Sequence, residues 1–125
     1  AEFSSEFPDW HLLEMDLAVS SSKVIEICGE LDAAIIDIAE PWTVVNKIAE
    51  TLKVGGRLAC YCPTTIQLEK SWNACEEQGL VIEFAGEMVE RRWSKAAKGG
   101  VRPGNQPMGH TAFLLIGAKI ADEEE

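Results

Sequence analysis

The chain has 125 residues, of which 21 are acidic and 11 are basic, giving a formal net charge of −10 at pH 7. This length suits one domain and is too short for two. The acidic balance disfavours nucleic-acid binding by the whole surface, because phosphate groups are repelled by it. The longest apolar run, residues 112–116, is far too short to span a bilayer, so no membrane partner is expected.

The two ends of the chain differ in character from its middle. Residues 1–9 lack the apolar stretch that a signal peptide requires, and we expect an arm that is disordered or added by cloning. Residues 121–125 are expected to form a frayed acidic tail. The folded domain is therefore expected over residues 10–120.

The four cysteines lie inside apolar runs of a chain that can fold without disulfides. This favours reduced, buried thiols in an intracellular protein, and a cytoplasmic location is expected. Cys60 and Cys62 share one face of a predicted strand, where they either line a site or, as we favour, pack in the core. His11 and His110 have no companions at ligand spacing, so no metal site is expected.

Apolar patterning predicts the elements of the first half. Residues 10–18 read as a short strand, and residues 33–38 as a buried strand with apolar residues on both faces, as parallel strands require. Pro41 suits the first turn of a helix, and apolar residues follow it with helical periodicity. Gly55 and Gly56 are expected to end that helix.

The second half begins with a predicted strand over residues 57–62. Thr64 and Gln67 then have the spacing of a capping box and start a helix that stops at Gly79. Residues 80–93 and 111–120 read as two strands joined without a helix, which makes them antiparallel. The order β-α-β-α-β-β predicts an α/β fold, equivalent to the second half of a doubly wound sheet.

One segment departs from the acidic character of the chain. Residues 91–102 hold five of the eleven basic residues and no acidic residue. They form either an ordinary solvated loop or a loop that contacts phosphate groups, with Trp93 available for stacking on a base. The candidate RNA-binding residues are Arg91, Arg92, Trp93, Lys95, Lys98 and Arg102.

An acidic residue, Asp37, stands at the end of the buried strand, just before the helix that Pro41 begins. In parallel α/β sheets, ligands bind at the carboxyl ends of strands. Asp37 therefore faces a ligand or caps the helix, and both roles can hold. The chain contains no strand–GxGxxG–helix unit, the usual cradle for a nucleotide cofactor.

Four short motifs follow one another along the chain: Asp37-x-x-x-Pro41-Trp42, Leu52-Lys-x-Gly-Gly56, Tyr61-x-Pro-Thr-x-x-Gln67 and Gly109-His-Thr-Ala-Phe113. Each is modest alone, but their order and spacing together are specific. With them, residues 10–120 resemble the C-terminal half of the tRNA adenine-N1 methyltransferases, which make 1-methyladenosine in the T-loop.

The resemblance implies a Rossmann-like sheet in the strand order 3-2-1-4-5-7-6, with S-adenosylmethionine on the first half and the target adenine on the second. Residues 10–120 would then be a partial methyltransferase domain that lacks the glycine-rich cofactor half. Asp37 would be the catalytic carboxylate that faces the adenine amino group. Tyr61 would stack on the base, or would simply be the exposed end of a buried strand.

The resemblance also implies further contacts around the base and the cofactor. Pro41 and Trp42 would shape the loop beneath the base, and Gln67 and His110 would offer polar contacts to it. Asp16 resembles an acidic turn that reaches the cofactor adenine. Structural alternatives remain for three of these residues: Trp42 in the core, Gln67 in the helix cap, and His110 bonded to a backbone carbonyl.

The expected function is the substrate-side half of a truncated tRNA adenine-N1 methyltransferase, inactive alone because most contacts to S-adenosylmethionine are missing. The alternative is a non-catalytic RNA-binding or protein-interaction module that assembles as a homodimer or with a full-length methyltransferase. Without its neighbouring strand, the strand at residues 33–38 becomes an apolar edge. We expect this edge to pair in a homo-oligomer or to be covered by the strand at residues 10–18.

Overall fold

The residues that the computed structural model describes are 10–17, 19, 21–104 and 112–121. The elements, in chain order, are α1 (Ser22–Cys28), β1 (Leu31–Ile36), a 3-10 turn (Pro41–Thr43), α2 (Val45–Thr51), β2 (Leu52–Cys62), α3 (Thr65–Glu77), β3 (Val81–Glu87), β4 (Trp93–Lys95), β5 (Val101–Pro103) and β6 (Phe113–Ala118).

Four strands form one mixed sheet in the order β1-β2-β6-β3. β1 and β2 are parallel, whereas β6 lies between β2 and β3 and is antiparallel to both. The predicted α/β class and the antiparallel final pair are therefore confirmed. The strand order is also the 4-5-7-6 portion of the sheet that the resemblance implied.

β1 is an edge strand of this sheet among the described residues. It pairs with β2 on one side, and Ile36 is buried while Ile35 is 84% exposed. Residues 10–17 contain no strand, so the predicted strand at residues 10–18 is wrong and this segment does not extend the sheet beside β1. The apolar edge expected from the sequence is present and is not covered by that segment.

The helix expected after Pro41 is shorter than predicted. A 3-10 turn precedes α2, and the helix ends at Thr51 because Leu52 has extended backbone angles, φ −76° and ψ 138°. Gly55 and Gly56 lie inside β2 and do not end the helix. Gly55 has a φ of +88°, a conformation that favours glycine, and the pairing register of β1 on β2 shifts in the same region.

α3 begins and ends where the sequence predicts. Thr64 has the extended backbone of an N-cap, and its hydroxyl oxygen accepts a hydrogen bond from the backbone N–H of Gln67. The helix stops before Gly79, whose φ is +73°. Leu80 N–H then donates to the carbonyl of Cys75, which satisfies a backbone group at the helix end.

The long strand predicted at residues 80–93 is wrong. β3 ends at Glu87, residues 88–92 have no regular structure, and β4 pairs with β5 as a separate antiparallel hairpin. Most of the basic segment, residues 91–102, therefore forms a β-hairpin and not a loop, and the whole segment is called the basic hairpin below. Its turn contains Gly99 and Gly100, whose φ angles are +98° and +89°.

The core lies between the sheet and the helices α2 and α3. Leu58 and Cys60 of β2 and Leu115 of β6 are fully buried together with Val45 of α2 and Cys75 of α3. Cys62 is fully buried on the same strand face as Cys60, so the two predicted strand cysteines pack in the core. Cys28 is exposed, contrary to the expectation for all four thiols.

The opposite face of the sheet is largely apolar and partly open to solvent. The strand registers place Ile35, Ala59, Ile116 and Phe84 side by side across it, and this row is called the exposed sheet face below. Phe84 is 38% exposed. Parallel strands are normally covered on both faces, so this surface is suited to contact with another polypeptide.

None of the helices in the described part of the chain is long and apolar enough to cross a bilayer.

Replacing Leu58 by Ala is expected to lower the free energy of unfolding by about 2–5 kcal/mol, because the substitution leaves a cavity in the core. Val81→Ala is the matched control on the same sheet, and its effect should stay below about 1 kcal/mol because the side chain is 45% exposed. Urea unfolding followed by circular dichroism measures both. Equal losses would contradict the one-sided core.

Candidate functional site

Asp37 and Tyr61 lie side by side near the ends of two neighbouring parallel strands, at the same edge of the sheet. Ile36 of β1 is paired with Cys60 of β2, and Asp37 and Tyr61 are the residues that follow this pair. Because side chains alternate along a strand and Cys60 is buried, Tyr61 projects toward the opposite side, while Asp37 is the first residue after β1. Both are exposed, Tyr61 by 44%. A carboxylate and a phenol ring are thus both exposed near the ends of the two neighbouring strands.

The capping role considered for Asp37 is not found. The N-cap of the 3-10 turn is Glu40 and that of α2 is Val44, and neither helix start receives a side-chain cap bond. The side chain of Asp37 is instead exposed beyond the end of β1. It therefore stands where an approaching ligand can reach it.

The segment after Asp37 is held by packing and by two local interactions. Pro41 is fully buried, and the Thr43 hydroxyl donates to the carbonyl of Glu40 at 2.6 Å. Trp42 is half-buried, and the ammonium nitrogen of Lys70 lies 4.8 Å from its ring centroid. Such a contact is a cation–π interaction. The turn that contains Pro41 and Trp42 thus packs against α3.

The side chain of Gln67 is occupied by hydrogen bonds within the protein. Its Oε1 accepts from the backbone N–H and from the hydroxyl of Thr64, both at 2.9 Å. Its Nε2 donates to the carbonyl of Ala39, also at 2.9 Å. The capping box predicted from the sequence is confirmed. The bond to Ala39 links residues 28 positions apart, and no local sequence pattern signals it.

Two further candidates from the sequence are His110 and Asp16. His110 falls outside the described residues. Asp16 is exposed in the segment before α1, where its carbonyl accepts a hydrogen bond from the N–H of Val19 at 3.1 Å.

The basic hairpin offers cationic side chains and one aromatic ring to solvent. Trp93 is 59% exposed, and the guanidinium carbon of Arg91 lies 6.0 Å from its ring centroid. Arg92 forms an ion pair with Glu90, which lies just outside the segment considered in the sequence. Lys95, Lys98 and Arg102 are also exposed or nearly so. The hairpin combines positive charge with a surface on which a base can stack.

No family model matches the chain. The chain is 31% identical over 95 residues to the tRNA (adenine(57)-N(1)/adenine(58)-N(1))-methyltransferase TrmI of Methanocaldococcus jannaschii, covering 75% of this chain and 33% of that protein. A similar match, 33% identical over 84 residues, covers 67% of this chain and 32% of the tRNA (adenine(58)-N(1))-methyltransferase TrmI of Thermus thermophilus.

The tRNA (m1A58) methyltransferase TrmI of Aquifex aeolicus superposes with a TM-score of 0.63 and 26% identity, covering 74% of this chain and 36% of that one. A SAM-dependent O-methyltransferase of Thermotoga maritima superposes with a TM-score of 0.73 and 29% identity, covering 89% and 40%. The chain is similar in sequence and fold to part of the tRNA adenine-N1 methyltransferases TrmI. It spans about a third of the length of the curated relatives that it matches.

The described residues are poorly suited to bind S-adenosylmethionine. The two turns that lead from a strand into a helix, residues 37–40 and 63–64, contain no glycine. The glycines with positive φ lie instead after helices, inside β2 or in the hairpin turn. No backbone of the described residues therefore approaches a cofactor in the manner of a glycine-rich loop.

The described part of the chain offers neither a metal site nor an activated cysteine. It contains no group of three or more His, Cys, Asp or Glu side chains that could hold a metal ion. A hydrogen bond to Cys75 and burial raise the pKa of Cys60, and burial raises the pKa of Cys62, whose thiol lies 3.7 Å from the Ser71 hydroxyl. These thiols stay protonated and unreactive at neutral pH.

Proposed function

We propose that this chain forms the adenine-binding side of an S-adenosylmethionine-dependent tRNA adenine-N1 methyltransferase and is inactive without a polypeptide segment that holds the cofactor. The observation that supports this most directly is that Asp37 and Tyr61 follow Ile36 and Cys60, which are paired near the ends of two parallel strands. A tRNA substrate fits a cytoplasmic location.

The chemistry proposed for Asp37 follows from its charge. Methylation at N1 turns the neutral adenine ring into a cation, and a nearby carboxylate stabilises the positive charge as it develops. A carboxylate oxygen also accepts a hydrogen bond from the exocyclic amino group and so orients the ring. Because Asp37 is exposed, its carboxylate is accessible to an incoming base.

Tyr61 is proposed to hold the base by stacking. A base stacked on an aromatic side chain gains about 1–3 kcal/mol, largely independent of base identity. Tyr61 is paired with Leu114 of β6, which extends the apolar surface beside the ring. Pro41 and Trp42 are proposed to support the loop that follows Asp37. His110 is a proposed contact to the base, and Asp16 is a proposed contact to the cofactor.

Replacing Asp37 by Asn is expected to remove a preference for a charged base. The wild-type chain should bind 1-methyladenosine, a cation at pH 7, about five- to ten-fold more tightly than adenosine, because only the cation gains from the carboxylate. In Asp37→Asn the two affinities should become equal. Nuclear magnetic resonance titration measures both dissociation constants.

Asp32→Asn is the matched control. Asp32 is an exposed carboxylate near the other end of the same strand, where it forms an ion pair with Lys53. It should leave the preference unchanged. Tyr61→Phe should bind as the wild type and Tyr61→Ala should bind both nucleosides more weakly, because stacking needs the ring and not the hydroxyl. The absence of binding by the wild-type chain would contradict an adenine site formed by this chain.

A second candidate function, a non-catalytic RNA-binding module, is favoured by the basic hairpin. Its cationic residues lie together on a chain whose remaining residues are strongly acidic, and Trp93 is exposed beside Arg91. This local surface could contact the phosphate backbone although the whole protein carries a charge of −10.

Replacing Arg91 and Arg92 by Ala is expected to weaken tRNA binding and to reduce the dependence of the affinity on salt. Each lost phosphate contact lowers the slope of log affinity against log salt by about one. The matched control replaces Lys23 and Lys47, two basic residues outside the hairpin, and should leave the slope unchanged. Fluorescence anisotropy over a salt series measures it. An unaltered slope in the hairpin variant would make the hairpin ordinary solvated surface.

Assembly as a homo-oligomer through β1 is the proposed quaternary state, because β1 is an apolar edge beside the exposed sheet face. Sedimentation velocity is expected to give a dimer that Ile35→Glu converts to a monomer, since Ile35 lies on both surfaces. Ile66→Glu is the control, an exposed isoleucine on α3. A wild-type monomer, or a dimer unaffected by Ile35→Glu, would contradict this assembly.

A further inference from the structure

We propose that Gln67 is a positioning residue that sets the separation of Asp37 and Tyr61 by tying together the two chain segments that leave β1 and β2. The meaning of this role rests on the proposed adenine site. The bond network itself is independent of that function. Gln67 would then act on the base through Asp37 and not by direct contact.

Gln67 joins the two strand exits directly. Its Nε2 donates to the carbonyl of Ala39, two residues after Asp37, and its Oε1 accepts from Thr64, three residues after Tyr61. All four of these residues lie at the same edge of the sheet, where the adjacent strands end. One carboxamide therefore spans the gap between the segments that carry the two site residues.

The hydrogen-bonding capacity of the carboxamide argues for this role. A glutamine oxygen has two acceptor positions, and both are taken, by the backbone N–H and by the hydroxyl of Thr64. One N–H of the amide is taken by Ala39. A substrate base would have to break bonds that cap α3 in order to use the oxygen. The side chain is thus committed to the protein.

A second contact from the same helix strengthens the tie. Lys70, one turn beyond Gln67 on α3, lies over the ring of Trp42, and Pro41 between the two anchors is fully buried. α3 thereby holds residues 39–42 at two points. The main chain at Asp37 is held by β1 on one side and by the hydrogen bond between Gln67 and Ala39 on the other, so it has little freedom to move.

Gln67→Glu separates the tie from the helix cap. A glutamate at this position keeps an oxygen for the Thr64 N–H, and its charge is favourable at a helix N-terminus, but it loses the N–H donor for Ala39. Amide hydrogen exchange at Thr43 and Val44, whose N–H groups donate to the carbonyls of Glu40 and Pro41, is expected to become about five-fold faster, the equivalent of one lost hydrogen bond, with the rest of α3 unchanged.

Thr64→Ala is the complementary variant, because it removes the hydroxyl of the cap and leaves the amide donor of Gln67 in place. It should accelerate exchange in the first turn of α3 more than at Thr43 and Val44. Gln78→Ala, at the other end of the same helix, should change neither region. If Gln67→Glu does not fold, Gln67→Met replaces it, and its excess over Thr64→Ala at Thr43 and Val44 reports the tie.

The effect of Gln67 on the adenine site is measured by the ratio of the affinities for 1-methyladenosine and for adenosine. Gln67→Met, which adds no charge beside the base, should reduce this ratio about three- to five-fold, and should have no effect on it when Asp37 is already Asn. A purely structural role would lower both affinities equally and leave the ratio unchanged, which would overturn the proposal. Unchanged exchange at Thr43 and Val44 would also overturn it. If the wild type binds neither nucleoside, the proposed function fails while the exchange measurement still decides whether the tie exists.

Discussion

The parallel pairing of β1 on β2 is the interaction on which the candidate site depends. The register that places Ile36 beside Cys60 also places Asp37 and Tyr61 next along their two chains. A shift of one residue in β2 would turn Tyr61 toward the core, because side chains alternate along strands. The buried side chains of Ile36 and Cys60 resist such a shift, so the core and the site are specified by the same pairing.

The core of the chain is one-sided, and this explains its interaction properties. α2 and α3 cover one face of the sheet, while the exposed sheet face and the edge of β1 remain open. In a doubly wound sheet both would be covered by further elements. The chain spans only about a third of its curated relatives, and the open surfaces are those to which additional polypeptide, or a second copy, would be expected to bind.

Patterns of short range predicted much of the fold. The α/β class, the antiparallel last strands and the capped helix α3 follow from apolar periodicity, from the spacing of Thr64 and Gln67, and from connection lengths. Errors arose where neighbours in space override local preference. Residues 10–17 lack a strand partner, Gly55 is drawn into β2 by its pairing, and the predicted strand at residues 80–93 is divided at Glu87 into β3 and a separate hairpin.

For the candidate site, the strand ends could be located from the residue pattern alone, because Asp37 follows an apolar run and Tyr61 lies one residue before the end of another. The pairing of the residues before them, Ile36 with Cys60, and the hydrogen bond from Gln67 to Ala39 became known from the three-dimensional structure. Those relationships join positions far apart in the chain. Strand register and helix docking create them, and neither is encoded in a local pattern of residues.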